Sequence, residues 1–442
     1  MIKVRNLSFS YTTADQQVIK RVNLDVSEGQ LVLLTGVTGG GKSTLLKLIN
    51  GLAPHFTGGR FEGQIFVSGQ DATGKLPHQL AESIGYVNQK PEGAFATDTV
   101  ESELVFGMEQ LGMSRGRMQT RLIEISEQFE LTPFLNFALT ELSAGWQQRV
   151  AIAAALAAGQ RVLLLDEPTS ALDEATASGL IDLLAKLAHT DGLTILVAEH
   201  RIAGLARVAD QILELNGDGS IEPAQLAVED QSIFGQWPRV RAIEPFFESP
   251  ELNRNFEAGF RLGPLKIELK RGEIQGLTGS NGSGKSTLLW ELHGAAKAAK
   301  ISTALVPQNA GDILIFNSIA EELACSDEAA ANSKVRTSKI FESLAGRIDP
   351  KMNPRDLSAG QQLSLALAVQ LVRNTDLILL DEPTRGLDQA ARVSLAETLT
   401  ELRNSGSTIV LATHDQPFLR SISDVTIELE NGQVLNRVKH AE

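Results

Sequence analysis

The chain has 442 residues, 43% of them apolar and 21% charged, which excludes a disordered chain or a collagen-like fibre and allows two or three domains, each with its own core. Its formal charge is −14, from 40 Lys+Arg against 54 Asp+Glu, and such an acidic balance disfavours a nucleic-acid partner. The single cysteine, Cys325, excludes an internal disulfide and a thiolate zinc cage, and it reads as a buried or half-buried small apolar residue in a reducing cytoplasm.

Residues 1–11 (MIKVRNLSFSY) alternate like a strand and carry no apolar signal region. An apolar strand over 30–35 leads into a Gly-rich turn and the helical run LLKLIN. Between 58 and 85, Gly-bounded alternating apolar residues predict a small antiparallel sheet. A second apolar strand covers 162–165 and a helix covers 174–189. The longest apolar runs, 150–158 and 162–165, are separated by Gly-Gln-Arg, so none reaches the ~18 residues of a membrane helix. The chain is expected to be cytoplasmic, and any membrane role is expected to come through a partner.

The sequence then repeats itself. GKSTLL occurs at 41–46 and 284–289, LLDEPT at 164–169 and 379–384, and LSAG at 142–145 and 357–360. Self-similarity on this scale means two copies of one domain. The spacing is 243 residues from Lys42 to Lys285 but 219 from Gln89 to Gln308, and stays near 215 from Asp166 to Asp381. The second copy therefore lacks 24 residues, all between its Lys and its Gln, where the first has the predicted antiparallel sheet. We place domain one at 1–222, a linker with three prolines at 223–249, and domain two at 250–442. Continuous apolar strands alternating with helices predict an α/β fold whose parallel core is covered on both faces.

The turns GVTGGGKST (36–44) and GSNGSGKST (279–287) each follow a strand and open a helix, the context of a phosphate-cradling loop. Gly36, Gly39 and Gly41, and Gly279, Gly282 and Gly284, let backbone N–H groups curl around phosphate oxygens at a helix N-terminus. Lys42 and Lys285 are expected to reach the β- and γ-phosphates, and Ser43 and Ser286, followed by Thr44 and Thr287, to hold Mg²⁺. Asp166 and Asp381 end strands beside these loops as further Mg²⁺ ligands, and Glu167 and Glu382 follow on the other side, placed to polarise an attacking water.

LSAGWQQRV (142–150) and LSAGQQLSL (357–365) resemble the signature of ATP-binding-cassette ATPases. Gln89 and Gln308 match that family's Q-loop glutamine, which the resemblance adds to the Mg²⁺ ligands. SALD (170–173) and RGLD (385–388) match its D-loop, and His200 and His414 its switch histidine. The resemblance covers nearly the whole chain outside the linker. It implies two P-loop domains packed head to tail, with ATP as substrate. Lys42, Gln89, Asp166, Glu167 and His200 would then work with Ser358 and Gly360, and Lys285, Gln308, Asp381, Glu382 and His414 with Ser143 and Gly145. It also implies that Tyr11 stacks on adenine; the position 243 residues on is Arg254, with Phe256 and Phe260 nearby. Trp146 stands where the family has a signature Gln, read either as a tolerated substitution or as the mark of an unequal site.

The run YVNQKPEGAFATDTVESELVFGMEQLG (86–112), with LINGLAPHFTGGRFEGQI (48–65), resembles the energy-coupling-factor ATPases of prokaryotic vitamin and metal uptake. Their partners are a membrane-embedded scaffold subunit and a separate substrate-binding membrane subunit. Glu92, Glu101 and Glu103 are expected to face the scaffold, with Glu321 and Glu322 in the shorter second version. The chain would then be peripheral on the inner face of the cell membrane. A soluble tandem ATPase acting on ribosomes and the ATPase of a sugar importer are the alternatives.

Overall fold

A computed structural model of the chain describes residues 1–12, 17–37, 39–170, 172–200, 202–224, 244–256, 260–329, 336–357, 359–372, 375–385, 387 and 389–440. Most of the expected linker, Ser358 and Asp388 lie outside the described residues. The chain divides into two compact units, Met1–Glu229 and Asp230–Glu442.

The first unit runs β1 (Ile2–Ser10), β2 (Ile19–Val26), β3 (Leu31–Gly36), α1 (Lys42–Ile49), β4 (Arg60–Val67), β5 (Gln70–Asp71), α2 (Pro77–Leu80), β6 (Ile84–Val87), α3 (Val100–Gln110), α4 (Arg115–Gln128) and α5 (Ala144–Leu156). It continues with β7 (Val162–Asp166), α6 (Glu174–His189), β8 (Thr194–Ala198), α7 (Ile202–Leu205), β9 (Gln211–Leu215) and β10 (Ile221–Pro223). The main sheet has the order β10-β9-β3-β8-β7-β6. It is parallel except for the β9–β10 edge. Strands β7 and β8 are buried at every residue, because their alternate side chains enter two cores. Leu164 and Leu196 face α1 and the antiparallel sheet β2-β1-β4-β5. Leu163, Leu165 and Ile195 face Leu104 of α3, Val150 of α5 and Leu184 of α6.

The second unit runs β11 (Pro245–Glu248), β12 (Leu252–Asn255), β13 (Arg261–Leu265), β14 (Glu268–Lys270), β15 (Ile274–Thr278), α8 (Lys285–Ala298), β16 (Thr303–Val306), α9 (Ile319–Ala329), α10 (Thr337–Ala345) and α11 (Ala359–Leu371). It ends with β17 (Leu377–Asp381), α12 (Gln389–Asn404), β18 (Thr408–Ala412), α13 (Gln416–Ile422), β19 (Val425–Glu430) and β20 (Gln433–Lys439). Its main sheet, β16-β17-β18-β15-β19-β20, reproduces the first unit's order strand for strand. The missing residues show as a helix of 14 residues, α8, leading directly to β16, where the first unit has an 8-residue helix followed by β4, β5 and α2. The pairs β11–β14 and β12–β13 stand in place of the four-stranded antiparallel sheet.

Three expectations are corrected. Residues 245–248, read as linker, form β11 and pair antiparallel with β14. Cys325 is exposed on α9 rather than buried. Glu103 does not face outward: it is 8% exposed, and its carboxylate accepts from Ala96 N, Thr97 N and Thr97 Oγ1 at 2.9–3.0 Å. Glu322 does the same in the second unit, accepting from Phe316 N at 2.7 Å. Each carboxylate folds back over the N-terminal turn of its helix to hold the preceding loop. Glu101 remains exposed; the side chain of Glu92 lies outside the description.

No described helix is long and apolar enough to cross a membrane. Replacing Glu103 by Ala leaves part-buried N–H groups without their acceptor, so it should destabilise the first unit by roughly 1 kcal/mol. Glu103→Gln, which keeps one acceptor oxygen, should recover part of that loss in a thermal or denaturant melt.

Candidate active site

The two phosphate loops are built alike. Gly41 and Gly284 are the N-cap residues of α1 and α8, at φ 101° and 103°. That is a left-handed region open to glycine, and an added Cβ would meet Val18 Cγ1 at 2.8 Å in one loop and Phe260 Cζ at 2.9 Å in the other. The next residue is the lysine. Lys42 Nζ donates to the carbonyls of Gly36 at 2.9 Å and Val37 at 3.0 Å; Lys285 Nζ donates to Gly279 and Ser280, both at 2.9 Å. Both lysines are buried, so each ammonium is already aimed into its loop.

Strand β7 brings Asp166 to the same place. Ser43 Oγ donates to Asp166 Oδ1 at 2.8 Å. Burial pushes the Asp166 carboxyl up to about 6, against the Ser43 hydrogen bond that pulls it down. Burial also raises Asp381, opposed by Ser286. A hydroxyl and a buried carboxylate whose ionised form is short of positive charge are hard oxygen donors that fit Mg²⁺. Ser43 with Asp166, and Ser286 with Asp381, would hold the ion. The ion would neutralise charge on the β- and γ-phosphate oxygens.

Glu167 and Glu382 stand at φ 49° and 52°, positive values that cost a non-glycine residue roughly 1–3 kcal/mol. The turn is fixed by Glu167 N donating to Ala198 O and Glu382 N to Ala412 O, both at 2.8 Å. It swings the glutamate away from its aspartate neighbour. There the two units differ. Glu167 accepts from Gln89 Nε2 at 2.5 Å and lies 3.0 Å from His200 Nε2. Burial pushes this carboxyl up, but His200, Lys42 and Gln89 together hold it below its usual value. A cavity of about 20 Å³ beside Gln89, Glu167 and the start of α5 is large enough for one water. Glu382 accepts from the backbone N–H of His414 at 3.3 Å and from the Thr413 hydroxyl, with His414 Nε2 3.3 Å from its other oxygen. His414 Nε2 is engaged with Asn281 Oδ1 at 2.9 Å. Gln308 is exposed and no hydrogen bond joins it to Glu382 among the described residues. Burial therefore dominates and lifts Glu382 to about 7.

On the base side, Tyr11 is half-buried, edge-on to Phe9 at 4.8 Å, with its hydroxyl 2.8 Å from Thr44 Oγ1. In the second unit Arg254 pairs with Glu291 at 2.7 Å and lies 5.5 Å from the ring of Phe256, which is 5.9 Å from that of Phe260. At the first signature, Ser143 is the exposed N-cap of α5 and its side chain makes no cap hydrogen bond, leaving a helix N-terminus open to an anion. Gly145 is buried, where a Cβ would meet Thr176 Cγ2 at 2.3 Å. Trp146 is half-buried, 4.5 Å from Phe134 with the Arg149 guanidinium 5.1 Å from its ring. Gly360 lies buried at the start of α11. Sequence reasoning missed Glu199, 1% exposed, which accepts from Thr169 N, Thr169 Oγ1 and His200 N at 3.1, 2.6 and 2.8 Å. Its only signal was the contrast between Ala-Glu-His and Ala-Thr-His in the two copies.

This fold and these loops define a P-loop nucleotide hydrolase with two nucleotide-binding units. The ABC transporter family profile matches residues 19–170 and 262–385, and the chain belongs to that family as a tandem ABC ATPase. A Streptomyces coelicolor protein named "Putative ABC transporter ATP-binding protein" is 34% identical over 98% of this chain and 93% of its own length. One of the same name from Treponema denticola is 28% identical over 99% and 97%. The fold is shared with RNase-L inhibitor, at TM-score 0.65 and 21% identity over 98% of this chain and 90% of that one. It is shared to the same extent with an archaeal ribosome recycling factor solved with the ribosomal stalk protein aP1.

Three outcomes follow. Glu167→Gln with Glu382→Gln should abolish ATP hydrolysis in a steady-state assay, since both bases are gone; either alone leaves one. The same substitutions should act oppositely on stability. Glu382, raised from 4.5 to about 7, binds its proton more tightly folded than unfolded, so its contribution falls as the pH rises through that window. Glu382→Gln should therefore raise the melting temperature above pH 7 and leave it unchanged near pH 4.5. Glu167 is depressed, so Glu167→Gln should lower it at neutral pH, with the difference fading as acid protonates the wild-type carboxylate. Finally, ATP should bind more tightly at Lys42 than at Lys285, by about 5–150-fold if one stacking contact separates them, as read in titrations of Lys285→Ala and Lys42→Ala.

Proposed function

We propose that the chain is the ATP-hydrolysing subunit of a membrane uptake system of the energy-coupling-factor type, which takes up a vitamin or a metal ion. The observation that carries this reading is the outer face of α3. Its inner residues Leu104 and Met108 are buried, and Glu103 ties down the loop before it. Phe106 is left 38% exposed, with Glu101 and Glu109 exposed on the same helix. An exposed aromatic with an exposed acid one turn on suits a short helix that offers apolar and basic side chains. The family membership and the names of the relatives support a transport role.

On this reading Mg-ATP binds at Lys42 and Lys285, and the signature turns Ser143–Gly145 and Ser358–Gly360 complete the two sites. Glu167 and Glu382 activate water, while His200 and His414 sense the γ-phosphate. The chain sits on the inner face of the cell membrane against an embedded scaffold subunit, and a separate membrane subunit selects the cargo.

Purification from mild detergent should bring down both membrane subunits. Co-sedimentation with ribosomes in their place would move the chain to the ribosome-acting class. Glu101→Lys with Phe106→Ser should weaken the membrane complex severalfold at low salt and leave basal ATPase intact. A complex that survives this change at both low and moderate salt, where exposed ion pairs are screened, would show that α3 is not the docking face.

A further inference from the structure

Tyr86 carries a buried hydroxyl beside the first unit's carboxylates that the chemistry above does not use. It lies on β6, opposite Leu164 of the parallel strand β7. Side chains two apart on a strand share a face, so Tyr86 and Asp166 are diagonal neighbours on the face that also carries Leu164. The ring packs against the core that holds Leu45 and Leu164. The hydroxyl is shut off from solvent and makes no well-formed hydrogen bond among the described residues, an arrangement that costs free energy unless an acceptor closes in. A phenol is a hydrogen-bond donor at neutral pH, and the Asp166 carboxylate lies close enough to act on it by charge and as an acceptor. That carboxylate is held at Oδ1 by Ser43.

The second unit is a built-in control. Leu305 faces Leu379, two residues before Asp381, in the register that Tyr86 has with Leu164 and Asp166. The same seat is thus filled by a hydroxyl-bearing ring in one unit and by an apolar side chain, 8% exposed, in the other.

We propose that Tyr86 is a positioning residue of the first unit's metal site: its hydroxyl donates to Asp166, or to a water on Asp166, and fixes the carboxylate as the nucleotide's divalent cation binds. The loosely held hydroxyl gains a well-formed acceptor only then, which ties metal binding to a bond that the metal-free chain makes poorly. The second unit, with Leu305, binds the cation without this brace.

The test uses Mn²⁺ as probe, titrated by electron paramagnetic resonance with ATP on the full chain carrying Lys285→Ala, so that only the first unit's lysine loop is intact. Tyr86→Phe should raise the half-saturating Mn²⁺ concentration about tenfold, the worth of one hydrogen bond to a charged group. ATP binding in chelator should change less than about twofold, and the melting temperature should not fall. Tyr86→Leu, which copies the second unit, should show the same metal defect. An unchanged Mn²⁺ midpoint in Tyr86→Phe overturns the proposal. So does an equal loss of ATP binding with and without metal, which is what a packing role would give.

Discussion

Two neighbouring carboxylates at the end of a fully buried strand are the constraint around which each unit is arranged. Asp166 and Glu167 leave water together, and burial opposes ionisation of both. Side by side they would also repel each other. The positive φ at Glu167 separates them, sending one carboxylate to Ser43 and the other to Gln89 and His200. The sheet order makes this possible. Strand β7 lies between β6 and β8, and these two strands run directly into Gln89 and His200. The partners of the buried acid thus arrive at the ends of the adjacent strands, without long loops to order.

The second unit meets the same constraint with weaker partners. Strands β16 and β18 flank β17 in the same order, and Glu382 has the same backbone turn. Yet Gln308 stays exposed, and His414 shares its ring nitrogen with Asn281. With burial left dominant, Glu382 sits near neutrality, whereas Glu167 is held ionised. A general base works from its ionised form. If these glutamates are the bases, as proposed, the first unit's is ready before nucleotide arrives, and the second's readiness depends on added positive charge.

Much of this was legible in the sequence because the informative residues are short, contiguous and repeated. The Lys loops, the Asp-Glu pairs and the lost 24 residues all appear as strings or spacings, and the helix expected over 174–189 is α6 residue for residue. What escaped depends on which way a side chain turns. Glu103 reads as a surface acid because its neighbours on α3 are acidic, but three donors in the loop before the helix draw it inward. Cys325 reads as core by residue type, yet falls on the outer face of α9. Residues 245–248 read as linker because Pro245 and two phenylalanines show no period, although β14, at 268–270, supplies a partner. Glu199 and Tyr86 sit inside such strings, but nothing in the strings assigns them a role; the pairing of strands brings them to the site.

Two copies in one chain separate what the chemistry requires from what it tolerates. Both keep the lysine over two loop carbonyls, the glutamate at positive φ, and its N–H on the end of the neighbouring strand. These fix where phosphate and water meet, and a change of an ångström there is costly to catalysis. The copies part company at the edges: Tyr11 against Arg254 beside the base, Tyr86 against Leu305 beneath the metal ligand, Gln89 against an exposed Gln308 beside the acid. Each of these differences changes how tightly a ligand or a proton is held while the reacting geometry stays the same. Trp290, 54% exposed on α8, takes the place of Lys47 on α1, where the ammonium adds its charge near Asp166. On the proposed assignment the shared residues would make both units hydrolases, and the unshared ones would give them different affinities, so that a given level of ATP, metal and pH would load them unequally.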